Sequence, residues 1–123
     1  MCIRDSLTGI DIIEIYRIKE VCQNYPDRFM RKIFTKQEIE YCRGRFPQIA
    51  ARFATKEAVM KLLGTGIRGM PWKSIEVYRA RGKAPKVILH GNAKKKANEL
   101  GIKEIALSIS HSRNYAVASV VSV

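Results

Sequence analysis

Apolar residues lie on both alternating faces of residues 7–15, LTGIDIIEI, and this pattern predicts a buried strand of the kind found at the centre of a sheet. Asp11 is the exception, because aspartate is depleted in strands. A helical stretch follows over residues 17–24, and the tyrosine, proline and aspartate at 25–27 break it. We expect Asp27 to cap the next short helix, which starts at residue 28.

A clearer helix start lies in the sequence FTKQEI, residues 34–39. Thr35 is a good N-cap residue, and Glu38 stands three positions later, as a capping box requires. These two residues predict a helix from residue 36 to about residue 43, after which Gly44 loosens the chain.

Residues 47–63 form the longest helical pattern, and Gly64 is its expected stop. Apolar side chains occur almost all round this helix, which indicates burial on most sides. Four charged residues nevertheless interrupt it: Arg52, Lys56, Glu57 and Lys61. Buried charges are unfavourable unless they meet a partner or a metal, so these residues are candidates for function.

The second half of the chain reads as short strands around one helix. A glycine-rich loop, GTGIRGMP at residues 64–71, precedes two strands at 72–80 and 86–91 that should form a hairpin-like unit. A helix at 92–101 has Asn92 as its expected cap, and two further strands span 105–112 and 115–123. Interleaved helices with hairpin-linked strands predict an α+β fold with a largely antiparallel sheet around the long helix.

Length and charge narrow the class of protein. The 123 residues fit a single domain, and 46% hydrophobic residues are enough for a core. The net charge of +12 predicts a polyanionic partner, which leaves nucleic acid, a phosphate-rich ligand, an acidic protein and an anionic membrane open. We find neither an apolar run long enough for a membrane span nor a signal peptide. Three scattered cysteines (Cys2, Cys22, Cys42) favour a reduced cytoplasmic protein.

Glu57 and Lys61 share one narrow face of the long helix with Ala50 and Ala54, because successive residues turn by about 100°. Small neighbours would let a ligand approach the two charges. The alternative is an ordinary (i, i+4) ion pair on a helix surface. The role of Asp11 also has two interpretations. Its carboxylate meets a cation, N–H donors or a metal, or it is hydrogen-bonded to a turn at a frayed end of the strand.

Two carboxylates, a lysine and a glycine-rich loop together suggest Mg²⁺ and phosphate. The loop alone is weak support, because it follows a helix and lacks the Walker pattern. His111 ends an apolar strand between two serines, where a structural role is commoner than catalysis and a phosphate or ribose contact is conceivable. Cys22 and Cys42 are expected to be buried small hydrophobes, and His90 receives no role.

Four segments occur in an order and spacing that are specific: GIDIIEIYRI, RFATKEAVMKLLGTGI, GKAPKVILHG and SISHSRNYAVASVV. Together they resemble the holo-[acyl-carrier-protein] synthase family, the short 4′-phosphopantetheinyl transferases, over residues 9–121. The resemblance implies transfer of 4′-phosphopantetheine from coenzyme A to a serine of an acidic apo-acyl carrier protein, in support of fatty acid biosynthesis. Adenosine 3′,5′-bisphosphate is then the second product.

The same resemblance implies roles for particular residues. Asp11 and Glu57 match the family's Mg²⁺ ligands, and Lys61 matches a lysine that contacts the pyrophosphate and shares in catalysis. Further positions match the coenzyme A groove, its phosphates or the carrier-protein surface: Gly64, Thr65, Gly66 and Pro85 for the groove, Arg52 and His111 for the phosphates, Arg17 and Arg28 for the carrier. Members of the family are typically trimers with sites between subunits. Either Glu57 or a metal-bound water would accept the serine proton.

Two other functions are compatible with parts of the sequence. A small basic nucleic-acid-binding module would explain the charge, but 8% aromatic residues and the lack of an RNA-binding signature argue against it. A scaffold that binds carrier protein without reacting is disfavoured by the intact Asp11 and Glu57. The start, MCIRDS, departs from the family, so we expect an uncertain extension at residues 1–8 and a single transferase domain at 9–123.

Overall fold

The computed structural model describes residues 6–123 and has the predicted α+β composition. Cys2 and most of the MCIRDS segment therefore lie outside the described residues, and the division at residue 8 stays a prediction. In chain order the elements are β1 (Thr8–Glu14), α1 (Ile15–Asn24), α2 (Arg28–Ile33), α3 (Lys36–Cys42), α4 (Phe46–Leu63), a 3-10 turn (Trp72–Ser74), β2 (Ile75–Tyr78), β3 (Lys86–Leu89), α5 (Gly91–Glu99), β4 (Ile105–His111) and β5 (Tyr115–Ser122).

Both sheets are antiparallel, as the sequence predicts. The larger one has the strand order β1-β5-β4, so the chain's first strand pairs with its last. In this register Asp11 lies opposite Ala118, and His111 lies opposite Ala116. The smaller sheet is the expected hairpin of β2 and β3.

The long helix α4 is the centre of the molecule and packs against β1 and β5. Twelve of its 18 residues are buried, including Arg52 and Lys56, which confirms the burial predicted from its all-round apolar pattern. Alanines make close packing possible, and the two hydrophobic clusters divide the helix along its length: one includes Ile49, Ala50 and Ala51, and the other includes Ala54, Ala58 and the apolar residues that follow to Leu63. The helix ends at Gly64, whose φ of 74° is in the left-handed region that glycine adopts readily.

The prediction of a central first strand is wrong, because β1 is an edge strand. Its outward side chains Ile10 and Ile12 are 62% and 64% exposed, so apolar residues on both faces do not reflect burial within this chain. The inward positions are Gly9, Asp11 and Ile13, and these face α4. Asp11 therefore lies on the core side of a regular strand, not at a frayed end.

Helix caps give mixed results. The capping box at the start of α3 is confirmed, since Thr35 Oγ1 accepts from Glu38 N and a Glu38 carboxylate oxygen accepts from Thr35 N. Asp27 precedes α2 as expected, but its side chain makes no capping hydrogen bond. Asn92 is not a cap: α5 begins at Gly91, which places Asn92 inside the first turn and His90 at the N-cap position.

Candidate active site

Gly9 allows β1 to cross α4 in direct backbone contact. A Cβ atom at this position would lie 2.0 Å from the carbonyl oxygen of Ala58, which is far inside van der Waals contact. Only glycine permits so close an approach. Asp11 follows two residues later on the same face of β1, so the crossing brings its carboxylate to the side of α4 that carries Glu57 and Lys61.

Lys61 meets Asp11 directly. Its Nζ lies 2.8 Å from Asp11 Oδ1 and 3.0 Å from the carbonyl oxygen of Ile10. The Asp11 side chain is only 12% exposed, whereas the Lys61 side chain is 55% exposed, so the ammonium group remains open to solvent. Lys61 therefore bridges to β1, and the surface (i, i+4) pair with Glu57 that was the alternative is not the ion pair that forms.

Glu57 completes this group of charges. Partial burial raises its pKa from 4.5 to about 7, and the neighbouring Asp11 carboxylate adds to the rise through its charge and a shared hydrogen bond. Lys61 and Arg17 act in the opposite direction but do not cancel it. Asp11 and Glu57, 46 positions apart in the sequence, are thus close enough to interact.

A cavity of about 540 Å³ opens beside the two carboxylates. Its lining includes the polar residues Asp11, Glu57 and Arg17 and the apolar residues Phe29 and Phe53. Arg17 is thus brought to the carboxylates. Arg28 is not: it is exposed at the start of α2 and does not line this cavity.

A second cavity, of about 290 Å³, collects other predicted residues. Arg52, Pro85 and His111 line it together with Tyr41 and Arg79. The Arg52 side chain is 4% exposed and stacks on the Tyr41 ring at 4.0 Å. Within residues 6–123, its Nε atom is buried and finds no hydrogen-bond acceptor. Burial raises the Tyr41 pKa, but the charges and hydrogen bonds of Arg52 and Arg79 together lower it more, so the net shift is downward.

The two cavities lie on different sides of α4. Arg52 precedes Glu57 by five residues, which is about 140° of rotation around a helix. The predicted loop residues Gly64, Thr65 and Gly66 follow Lys61 and line neither cavity. One chain therefore does not bring all the predicted site residues together.

Sequence reasoning missed the role of Lys56. Its buried Nζ lies 2.8 Å from Glu38 Oε1 and donates to the carbonyl oxygens of Trp72 and Ile75. The sequence did contain a signal for this ion pair: Lys56 lies on a helix that is apolar on almost all sides and therefore needs a buried partner, and Glu38 is an acidic residue at a predicted capping box. His90, which received no role, contacts Glu76 at 2.9 Å.

Cys42 is buried as expected, whereas Cys22 is only partly buried. Desolvation raises the thiol pKa of Cys42 to about 11. Burial also raises the pKa of Cys22. Neither thiol is therefore activated as a nucleophile, and both are free in the described part of the chain.

The candidate metal ligands are the carboxylate oxygens of two residues, Asp11 and Glu57. Residues 6–123 contain no cluster of three or more His, Cys, Asp and Glu side chains that would form a metal cage. The Asp11 and Glu57 carboxylates are hard oxygen donors, and one or two carboxylates are the usual protein contribution to a Mg²⁺ site. Two adjacent carboxylates, one with a pKa raised by burial and by the charge of the other, are a donor set that a divalent cation fits.

None of the helices formed by residues 6–123 combines the length and apolar character that crossing a membrane requires.

Comparisons with known proteins agree with the sequence motifs. Residues 8–120 match the profile of the 4′-phosphopantetheinyl transferase superfamily. A holo-[acyl-carrier-protein] synthase of Koribacter versatilis is 47% identical over 118 residues, covering 93% of this chain and 94% of the relative. One from Moorella thermoacetica is 47% identical over 113 residues, covering 89% and 88%.

The fold comparison leads to the same family. The Helicobacter pylori holo-[acyl-carrier-protein] synthase, solved in complex with coenzyme A, superposes with a TM-score of 0.84 at 31% identity. The match covers 93% of this chain and 97% of the Helicobacter chain. The chain therefore belongs to the 4′-phosphopantetheinyl transferase superfamily and, within it, to the holo-[acyl-carrier-protein] synthase family.

Proposed function

We propose that this protein transfers 4′-phosphopantetheine from coenzyme A to a serine of an apo-acyl carrier protein and releases adenosine 3′,5′-bisphosphate. The observation that carries the proposal is the group formed by Asp11, Glu57 and Lys61 beside an open cavity, in a chain of this family. Relatives with close to half of their residues identical are holo-[acyl-carrier-protein] synthases, and a structural neighbour binds coenzyme A.

We assign Mg²⁺ to Asp11 and Glu57. Their carboxylates are near enough for Asp11 to raise the Glu57 pKa, and a bound cation would relieve that repulsion. When bound, Mg²⁺ would neutralise part of the charge on the pyrophosphate of coenzyme A. Lys61 already contacts Asp11 and is half exposed, so its ammonium group is placed to donate to pyrophosphate oxygens beside this pair.

The reaction follows from this arrangement. The serine oxygen forms a bond to the phosphorus that carries the pantetheine arm, and the bond from that phosphorus to the bisphosphate breaks. Negative charge grows on the non-bridging and leaving oxygens, where Lys61 stabilises it. Glu57 lines the cavity beside Asp11, so its carboxylate is a candidate acceptor for the hydroxyl proton of the entering serine.

The remaining coenzyme A contacts point to an assembly of several chains. Arg52, Pro85 and His111 line a cavity on a different side of α4 from Glu57. A second copy could supply these residues to the carboxylates of the first, and the exposed apolar side chains Ile10 and Ile12 on β1 offer a surface for such contact. We therefore propose a homotrimer whose sites lie between subunits, with the loop at residues 64–66 completing the coenzyme A groove.

We propose that the acidic carrier protein docks near the basic residues of α1 and α2. Arg17 lines the carboxylate cavity and Arg28 is exposed nearby in sequence, so both are available to a negatively charged partner. The apolar lining from Phe29 and Phe53 would accept hydrophobic side chains beside the reacting serine. Localisation in the cytoplasm stays a prediction from the free cysteines.

Product release tests the proposed reaction. We expect adenosine 3′,5′-bisphosphate to appear only when the enzyme, coenzyme A, an apo-carrier protein and Mg²⁺ are all present, and EDTA should stop its release. Glu57→Gln should lower kcat by at least ~100-fold, because a charged ligand beside the reacting phosphate is lost. Glu99→Gln, at the end of α5, removes one carboxylate elsewhere and is the matched control.

Two outcomes would contradict the assignments. Absence of product across several apo-carrier proteins would rule out the transferase. A wild-type rate in Glu57→Gln would rule out Glu57 as a metal ligand.

Mixed subunits test the proposed assembly. Arg52→Gln and Glu57→Gln should each be nearly inactive alone, because each disables one half of every site. If sites form between neighbours, a refolded equal mixture should recover about a quarter of wild-type activity, since one site in four receives two intact halves. Activity equal to the mean of the two separate variants would show that each chain carries its own complete site.

A further inference from the structure

Lys56 is a fully buried cation that connects four elements. Its Nζ pairs with Glu38 on α3 at 2.8 Å and donates to the carbonyl oxygens of Trp72, in the 3-10 turn, and Ile75, at the start of β2. Both side chains of the ion pair are 0% exposed. Glu38 Oε2 also accepts from Val77 N at 2.9 Å. The ammonium group thus ties α4 to α3 and the hairpin.

This contact fixes the rotation of α4 one residue before Glu57. Consecutive residues on a helix point about 100° apart, so holding Lys56 in place also sets the direction of the Glu57 carboxylate. The neighbouring helix surface is formed by alanines such as Ala54 and Ala58, whose packing is not directional. Hydrogen bonds of fixed geometry therefore determine the rotation better than the surrounding apolar contacts.

The same ammonium group also acts on the wall of the carboxylate cavity. Phe53 lines that cavity and stacks on Trp72, with ring centroids 5.1 Å apart and planes at 19°. The carbonyl oxygen of Trp72 is one of the three groups that Lys56 holds. One side chain thus sets the position of a candidate metal ligand and of the aromatic surface beside it.

Stability alone is a poor explanation for this pair. Desolvation lowers the Lys56 pKa, although Glu38 opposes the shift. Replacing a buried ion pair with uncharged groups of similar size is often neutral or stabilising. We propose that Lys56 and Glu38 are positioning residues for the transfer reaction, which orient Glu57 and the Phe53 wall. The proposal rests on the proposed function.

A charge-free double variant, Lys56→Met with Glu38→Gln, tests the proposal while avoiding an unpaired buried charge. We expect it to fold, with kcat lowered ~10- to 100-fold because the reacting groups are misplaced. The KM for coenzyme A should stay within about 3-fold, and Mn²⁺ affinity, read by electron paramagnetic resonance, should weaken about 10-fold. The matched control is Thr55→Val, since the buried Thr55 hydroxyl donates within its own helix, to the carbonyl oxygen of Ala51.

The result that would overturn the proposal is a folded double variant with wild-type kcat and Mn²⁺ affinity. A double variant that fails to fold would also overturn it, because the pair would then serve stability. An equal loss in Thr55→Val would show that any polar deletion in α4 has this effect. If the wild-type protein transfers nothing, the proposed function fails, and the Mn²⁺ comparison still decides whether Lys56 orients the carboxylates.

Discussion

At the scale of single residues, Gly9 contributes by having no side chain, which lets the backbone of β1 lie in contact with α4. In Gly9→Ala, the new methyl group would overlap the carbonyl oxygen of Ala58, so β1 has to move away from α4. Asp11 would then separate from Glu57, and we expect activity to fall at least ~100-fold, because small misplacements of reacting groups are severe. Gly44→Ala is the control: no atom lies within 4 Å of the added carbon, and its φ of +71° gives this variant a backbone strain that Gly9→Ala, in a regular strand, does not have. Equal activity in both variants would contradict the close-approach role.

Glu57 should make stability depend on pH. Its folded-state pKa of about 7 lies above the ordinary 4.5, so its contribution is fully present below pH 4.5 and is lost as pH rises through 7. In EDTA at pH 8, Glu57→Gln should therefore be more stable than wild type by roughly 1 kcal/mol, after allowance for screening of this half-buried group. Thermal unfolding at pH 8 and pH 4.5 measures this: the gain should disappear at the lower pH. If Glu57→Gln were more stable than wild type by the same amount at both pH values, the raised pKa of Glu57 would be contradicted.

At the scale of an element, the start of α3 depends on Thr35. Its hydroxyl accepts from Glu38 N at 3.2 Å and donates to Glu76 Oε2 at 2.6 Å. Thr35→Ala should lower the free energy of unfolding by about 1–2 kcal/mol, as for other lost caps. Thr35→Ser keeps the hydroxyl and should retain most of the stability. Chemical denaturation measures both, and equal stability of the two variants would rule out the cap as the cause.

Elements specified by nearby residues were predictable from sequence. The Thr35–Glu38 box, the Gly64 stop and the β2–β3 hairpin depend on residues a few positions apart, and all three are present. The position of β1 at a sheet edge depends on which distant strand pairs with it, and apolar alternation does not contain that information. Asn92 failed as a cap because α5 starts one residue earlier, at Gly91.

The candidate site was predictable only in part. Helical counting placed Glu57 and Lys61 on one face, but it left an ion pair and a ligand equally open. The meeting of Asp11 with this face requires the crossing at Gly9, and the Lys56–Glu38 pair requires the packing of α3 on α4; both are tertiary events. The family resemblance identified Asp11 and Glu57 because the motifs of a family mark residues that come together only in the folded protein.

At the scale of the whole molecule, the net charge of +12 should affect binding of the carrier protein. Electrostatic attraction between a basic enzyme and an acidic partner is screened by salt, with a Debye length of about 10 Å at 0.1 M. We expect the KM for carrier protein to rise severalfold from low to high salt, with little change in kcat. Arg28→Ala should weaken this dependence more than Lys95→Ala, which removes an exposed charge from α5. If the KM for carrier protein did not change with salt, electrostatic attraction between the enzyme and the carrier protein would be ruled out as a contribution to binding.

The intact mass of the carrier protein tests the central claim most directly. An apo-carrier protein incubated with coenzyme A, Mg²⁺ and this enzyme should gain one phosphopantetheine group on one serine. The same incubation with Asp11→Asn or Glu57→Gln should leave nearly all of the carrier unmodified while those variants remain folded. A carrier mass that stays unchanged with the wild-type enzyme, or that rises as fast with the two variants, would contradict transfer at the Asp11–Glu57 pair.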